Sequence, residues 1–200
     1  MYLKGVLIIM SGKIKRITFT ALFVAIIAVC AQIVIPMPSG VAFTLQTFAV
    51  ALTGYLLGAG WGTLTVLAYI LLGAVGVPVF SAFQGGFHVL LGKTGGYLWG
   101  FLPLAAVCGL SARGRGKVLP YLWGIPGPPL CHLLGTLQNM FLAGGGFFAL
   151  LAVYSVPYLL KDYLSLALAA LLCSRLRPAL NKFLSPAETR GKRRTVKGEK

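Results

Sequence analysis

Charge of either sign is scarce in this chain, and acidic side chains are nearly absent. Lys, Arg, Asp and Glu make up 10% of its 200 residues, and only 3 residues are acidic. Soluble domains carry about 25% charged residues, so this chain has too little polar material to cover one soluble core. With 58% apolar residues and a mean hydropathy of +0.86, the composition predicts an all-α integral membrane protein.

The net charge of +15 comes from cations that are clustered. The clusters are Lys4, Lys13, Lys15 and Arg16 at the start, Arg113, Arg115 and Lys117 in the middle, and nine Lys and Arg residues from Arg175 to Lys200. Between them, residues 17–92, 94–112 and 118–160 contain no Lys, Arg, Asp or Glu. This pattern is typical of the positive-inside rule, which keeps cations cytoplasmic. We therefore expect a lipid bilayer, and no nucleic acid, as the partner of these charges.

Several chemical motifs are missing as well. The four cysteines stand singly in apolar segments, and neither His88 nor His132 stands at a metal-ligand spacing from a set of Cys, Asp or Glu residues, so no disulfide or metal site is predicted. No HExxH motif, phosphate loop, aspartate pair or Ser/Lys dyad is present. The sequence therefore predicts no enzyme, catalytic residue or cofactor, and active transport would need energy from another protein. Residues 1–10 are too short to span and lack a cleavage site, so no signal peptide is predicted.

Apolar segments that end at Pro, Gly or Arg predict six membrane spans, since a crossing needs about 20 residues. The predicted spans are residues 17–35, 47–57, 61–77, 94–112, 118–143 and about 154–173. Six crossings place both termini and all three cation clusters in the cytoplasm. The predicted divisions are a basic segment 1–16, a transmembrane domain 17–176 and a basic tail 177–200. Because the second span is short and the turn at 58–62 has no cation, a re-entrant hairpin is an open alternative there.

Asp162 is the only acidic residue outside the tail. It lies about two turns into the sixth predicted helix, where an acidic side chain costs ~2.5–3.5 kcal/mol and is usually functional. Adjacent residues on a helix point about 100° apart, so we expect no good ion pair between Asp162 and Lys161. These arguments predict that Asp162 faces a cavity.

A glycine-rich stretch surrounds Lys93, the other isolated cation. Gly85, Gly86, Gly95 and Gly96 allow a ligand to approach the backbone, and Thr94 begins a helix whose free N–H groups favour an anion. An ordinary outer loop with an exposed lysine is the alternative interpretation. Residues 36–46 form another outer loop, in which Thr44 and Gln46 offer neutral hydrogen bonds.

Ala21 and Ala25 lie one turn apart on the first predicted helix. Small residues at this spacing let another helix approach closely. The pair indicates a docking face, although the spacing also arises by chance in alanine-rich helices.

Several ordered motifs resemble those of the BioY family, the biotin-specific substrate-binding (S) components of energy-coupling factor (ECF) transporters. They are residues 35–36 (IP), 43–46 (FTLQ), 73–80 (GAVGVPVF), 85–86 (GG), 90–101 (LLGKTGGYLWGF) and 157–162 (PYLLKD). The resemblance implies a six-helix S-component fold in the bacterial inner membrane that holds biotin under the outer loops. It also implies a partner module of one membrane coupling protein and two cytoplasmic ATPases, with Ala21 and Ala25 in the docking motif.

The resemblance also implies roles for the candidate residues in biotin binding. Asp162 would accept the ureido N–H groups, and one of Gln84, Thr44 and Gln46 would bind the ureido carbonyl. The aromatic side chains of Phe83, Phe87 and Tyr97 would pack on the rings of biotin. Lys161 or Lys93 would hold its carboxylate. The family usually carries a lysine where this chain has Ser165, and we expect Lys161 to replace it. The alternatives are an S component for another small vitamin, a passive channel and, least favoured, an intramembrane enzyme.

The orientation can be tested by labelling intact cells. We expect tags at both termini to be reachable only from the cytoplasm, and a cysteine introduced near residue 85 to react with an impermeant reagent added outside. Labelling of the tail from outside would contradict this topology.

Overall fold

The protein is a helical bundle, and its computed structural model describes residues 12–35, 43–113 and 119–184. The predicted outer-loop residues 36–42 and most of the basic start, middle loop and tail lie outside these ranges. The helices are α1 (Gly12–Gln32), α2 (Gln46–Ala74), α3 (Phe87–Leu91), α4 (Gly95–Gly109), α5 (Gly127–Ala143), α6 (Phe147–Tyr154) and α7 (Val156–Leu184). Short 3₁₀ turns cover Ser81–Phe83, Leu110–Arg113 and Leu119–Gly124. Two short strands, β1 (Val34–Ile35) and β2 (Phe43–Thr44), pair antiparallel with Val34 opposite Thr44.

Helix α2 is a hairpin of two antiparallel arms. Its backbone leaves the helical region at Gly58, where φ is 81° and ψ is 169°, a conformation that favours glycine. Gln46 Nε2 donates to Tyr69 Oη at 2.7 Å, although 23 residues of straight helix would separate them by ~35 Å. A Cβ on Gly62 would lie 2.9 Å from Gly54 Cα, so the two arms touch near the turn. The second and third predicted spans are therefore these two arms.

Six helical segments run between the two ends of the bundle, namely α1, the two arms of α2, α4, α5 and α7. By length and composition alone, three of the described helices can cross a membrane, or four if the bent pair Tyr121–Ala143 and Phe147–Tyr154 is one span. The first arm of α2, residues 46–57, is only ~18 Å long at 1.5 Å per residue. Pro103 and Pro178 lie inside α4 and α7, as membrane helices tolerate.

One end of the bundle holds Arg16 and Arg177, which belong to the first and last cation clusters. Arg16 lies over the Trp61 ring, with 5.7 Å from its Cζ to the ring centroid, and Arg177 donates to the Ser111 carbonyl oxygen at 3.3 Å. The turn of α2 belongs to the same end, because Gly109 packs against the backbone of Gly58 and its neighbour. By the positive-inside rule we expect this end to face the cytoplasm. The turn of α2 reaches the same end, as a full crossing requires and a re-entrant hairpin does not.

Glycines allow α2, α4 and α5 to pack with their backbones close together. A Cβ on Gly54 would collide with the Ala105 carbonyl oxygen, and one on Gly100 would lie 2.6 Å from Cys131 Cα. The core around these contacts contains fully buried Tyr55 and Leu104. Many leucines and phenylalanines are exposed on the outside of the bundle, where lipid, rather than water, would cover them.

Replacing Gly54 by Ala tests this close packing. We expect Gly54→Ala to lower the free energy of unfolding by ~1–3 kcal/mol, because the added methyl group meets a main-chain oxygen that cannot move cheaply. Gly60→Ala is the matched control, since a Cβ there meets nothing within 4 Å. Thermal unfolding in detergent would measure both, and equal stabilities would contradict the proposed contact.

Candidate functional site

A cavity opens at the end of the bundle opposite Arg16 and Arg177, between α2, α4, α5 and α7. Together with the solvent at its mouth, it encloses about 610 Å³ of non-atom space. Its lining combines polar and aromatic side chains: Thr44, Gln46, Thr47, Phe80, Ser81, Val89, Thr94, Tyr97, Leu98, Phe101, Cys131, His132, Tyr158, Lys161 and Asp162.

Asp162 is the buried anion of this cavity. It lies two turns from the start of α7 and is only 4% exposed. Its Oδ2 accepts a hydrogen bond from His132 Nε2 of α5 at 2.8 Å, and its Oδ1 forms an ion pair with Lys161 Nζ. A buried carboxylate is stable only with such partners, so these contacts join α5 to α7 at the cavity.

The expectation that Lys161 and Asp162 do not pair well is wrong. The two residues do point in different directions on the helix, but the long Lys161 side chain folds back and reaches Oδ1. The Lys161 ammonium is therefore the cation that faces Oδ1. A carboxylate oxygen has two lone pairs, so Oδ1 keeps capacity to accept a hydrogen bond from a ligand.

Lys161 also contacts the segment that leads into α2. Its Nζ donates to the Thr44 carbonyl oxygen at 3.2 Å and to Thr47 Oγ1 at 3.4 Å. It lies over the Phe43 ring, 5.1 Å from the centroid, at a distance that permits a cation–π contact. A single cation thus links α7, β2 and α2 at one wall of the cavity.

The amide of Gln46 is already engaged within the protein. Its Oε1 accepts from Thr44 Oγ1 at 3.1 Å, and its Nε2 donates to Tyr69 Oη at 2.7 Å. Tyr69 in turn donates to the Val79 carbonyl oxygen at 3.0 Å. These bonds fix the shape of the polar wall, so any ligand contact by Gln46 would use its second amide N–H or the remaining lone pair of Oε1.

Aromatic rings form the apolar part of the cavity. Tyr97 is held by a hydrogen bond from its hydroxyl to the Tyr154 carbonyl oxygen at 2.9 Å. Its ring meets the His132 ring edge to face, with centroids 5.6 Å apart. Phe80 and Tyr158 are also buried in the lining, so a flat apolar ligand could pack between rings here.

Six of the residues proposed from the sequence line this cavity: Thr44, Gln46, Thr94, Tyr97, Lys161 and Asp162. Lys93 and Gln84 instead line a neighbouring cavity with His88, and this second cavity shares Thr94 with the first. Phe83 is 71% exposed. That any of these residues binds a ligand stays a prediction.

The glycines of the loop motif pack against protein backbone. A Cβ on Gly85 would collide with the backbone of Val77, one on Gly95 with the Leu90 carbonyl oxygen, and one on Gly96 would lie 2.8 Å from Gly135 Cα. Gly86 has a φ of 105°, which a side chain would disfavour. Close packing and turn geometry therefore account for glycine at these four positions.

His132 is the main cavity residue that the sequence interpretation missed. Its partner is 30 residues away, so no local spacing reveals the contact. The rule that singled out Asp162, an ionisable side chain within an apolar span, would also have selected His132. Phe80, Phe101 and Tyr158 were missed because aromatic residues in membrane helices carry no such signal. Among the described residues no group of three possible metal ligands exists.

The side chain of Gln32 ties the end of α1 to the segment that closes one side of the cavity. Its Nε2 donates to the Phe80 carbonyl oxygen at 3.1 Å, and its Oε1 accepts from Phe83 N at 2.8 Å. Ala82 and Phe83 have φ values of 55° and 56°, a strained conformation for residues other than glycine. Gln32 thus stabilises a strained turn beside the lining residue Phe80.

Ala21 and Ala25 lie in a shallow apolar groove on the outside of α1. The groove is lined by Ile17, Thr20, Ala21, Val24, Ala25, Ala28, Val29, Ala68, Leu72 and Val79. Both alanines are exposed, so the small-residue face is open for contact with lipid or another helix.

Comparisons with known proteins agree on one family. The family model described as BioY matches residues 6–182. "Biotin transporter BioY" of Thermotoga maritima is 42% identical over 164 residues, covering 82% of this chain and 96% of that protein. "Probable biotin transporter BioY" of Pyrococcus horikoshii is 38% identical over 165 residues, covering 82% of this chain and 98% of the relative.

A solved structure shares the fold. The crystal structure of the S-component for biotin from an ECF-type ABC transporter matches with a TM-score of 0.75 and 24% identity, covering 83% of this chain and 92% of that one. The bundle and its cavity therefore define a multi-pass membrane protein with the fold of a transporter S component, and not an enzyme. The chain belongs to the BioY family.

Proposed function

We propose that this protein is the biotin-capturing S component of an ECF transporter in a bacterial cell membrane. The observation that carries the proposal is the buried Asp162, which is paired with His132 and lies in an aromatic-lined cavity. This cavity is at the end of the bundle opposite Arg16 and Arg177. Family membership and the relatives' names support biotin as the ligand. Equilibrium binding of labelled biotin to the purified protein tests it, and preference for another vitamin would contradict it.

The chemistry of the cavity suits the different parts of biotin. Asp162 Oδ1 faces the Lys161 ammonium and keeps a second lone pair, which would accept an N–H of the ureido ring. The rings of Phe80, Tyr97 and Tyr158 would contact the apolar bicycle. Lys161 is the only lysine or arginine among the described lining residues, so we assign it, rather than Lys93, to the carboxylate. An ammonium group has three donors, so binding would redistribute the bonds of Lys161.

We also propose that a separate ATP-driven module energises uptake. That module would comprise a membrane coupling protein and two cytoplasmic ATPases, and it would dock on the groove that contains Ala21 and Ala25. Exposure of this apolar, small-residue groove supports a helix of the coupling protein as the occupant.

Removing the charge of Asp162 should weaken binding while preserving the shape of the side chain. We expect Asp162→Asn to lower biotin affinity at least ~tenfold, since a charge-assisted hydrogen bond contributes ~1.5–3 kcal/mol. The same loss is expected for a neutral biotin amide, because Asp162 binds the ring. Calorimetry with both ligands measures this, and unchanged affinities would exclude Asp162 from the site.

The two lysines can be distinguished with the same pair of ligands. Lys161→Ala should weaken biotin much more than its amide, whereas Lys93→Ala, the matched control, should affect neither. Equal loss for acid and amide in Lys161→Ala would instead assign Lys161 to the support of Asp162. If neither variant distinguishes the ligands, backbone N–H groups at residues 94–96 would have to hold the carboxylate, and the lysine assignment is wrong.

Docking and binding should be separable. We expect Ala25→Trp to abolish biotin uptake by cells while the isolated protein binds biotin with nearly unchanged affinity, because the groove lies outside the cavity. Uptake and equilibrium binding measure the two functions, and parallel loss of both would contradict the separation.

A further inference from the structure

His132 is buried in the cavity lining and uses only one of its two ring nitrogens. The residue is 4% exposed, and its Nε2 lies 2.8 Å from Asp162 Oδ2. Its Nδ1 has no hydrogen-bond partner among the described residues. Buried polar atoms without a partner are uncommon and costly in native proteins, so this nitrogen indicates a place for a ligand.

The contact with Asp162 determines which hydrogen-bonding role Nδ1 can take. An ionised carboxylate only accepts hydrogen bonds, so Nε2 carries the proton. Lys161 already balances the charge of Asp162, and Asp162 is the only carboxylate in the described part of the chain. A second ring proton would therefore add an uncompensated buried charge. In the neutral ring, Nδ1 is a bare acceptor.

We propose that His132 Nδ1 is a ligand contact, and that it accepts one N–H of the bound ring while Asp162 Oδ1 accepts the other. Both atoms are buried, and Nδ1 has no hydrogen-bond partner among the described residues. Oδ1 faces the Lys161 ammonium and keeps a second lone pair. The two N–H bonds of a cyclic urea diverge, so they require two separate acceptors, and the histidine and the carboxylate would supply one each. The inference rests on the proposed function, because it takes biotin as the ligand.

This arrangement makes the site selective for a neutral ring with two N–H donors. A ring that lacks one donor would leave a buried acceptor unpaired, and sites of this kind discriminate strongly for that reason. His132 would then determine specificity directly, rather than only holding Asp162 in place.

Two substitutions separate contact from support. Glutamine can place its amide N–H near the position of Nε2, so H132Q keeps the bond to Asp162 and loses the acceptor at Nδ1. Asparagine can place its amide oxygen near the position of Nδ1, so H132N keeps that acceptor and loses the bond to Asp162. Thermal unfolding in detergent should accompany each binding measurement to confirm that the variant is folded.

The ligands for the test are biotin and its two isomers methylated on a single ureido nitrogen. In the unsubstituted protein we expect each methyl group to weaken binding about tenfold or more, because each N–H has its own acceptor. In H132Q, biotin should bind at least about fivefold more weakly, and one isomer should lose its penalty while the other keeps it. H132N should retain the penalties of both isomers.

The outcomes distinguish this inference from the function on which it rests. If the unsubstituted protein binds no biotin, the proposed function and the inference both fall. If it binds biotin but tolerates methylation of either nitrogen, or if H132Q keeps both penalties, His132 makes no ligand contact and the inference alone is overturned. The methylation arm needs no variant, so tolerance of either methyl group would overturn the inference even if H132Q does not fold.

Discussion

The burial of one carboxylate within an apolar bundle is the constraint on which the site depends. Asp162 can remain charged inside the bundle only if donors and a cation surround it. His132 comes from α5 and Lys161 from α7 itself, and Lys161 in turn contacts β2 and α2. Four elements therefore converge on one charge, and the cavity lies where they meet.

The sequence revealed this constraint but not the way in which it is satisfied. An isolated acid in an apolar span singled out Asp162, and the long uncharged segments correctly predicted an all-α membrane protein, although the described residues form seven helices and not the six that were expected. The pairing with His132 depends on how α5 packs against α7, a contact between residues far apart in the chain. The pairing with Lys161 was rejected on helix geometry alone, because that argument treated a long side chain as if it ended at Cβ.

The glycine-rich stretch shows a second limit of sequence interpretation. A glycine that admits a ligand and one that admits another backbone have the same signature, since both rely on the missing Cβ. Gly95 and Gly96 face protein backbone, whereas their neighbours Thr94 and Tyr97 line the cavity. Only the packing of α4 on α5 distinguishes these uses. Lys93, adjacent to them in sequence, lines the neighbouring cavity instead.

The bonds of Gln32 have a thermodynamic consequence for the whole subunit. Gln32 is on the same helix as the small-residue groove, and it holds the strained turn beside Phe80 at the cavity wall. A displacement of α1 would strain or break these bonds, and it would change the affinity for a ligand if this strain differs between the empty and the occupied cavity. In that case a partner that prefers a displaced α1 would change the affinity for the ligand. By linkage, the ligand would change the affinity for that partner by the same factor. Binding in the cavity and binding in the groove would thus be linked by one coupling free energy, which could be measured at either site.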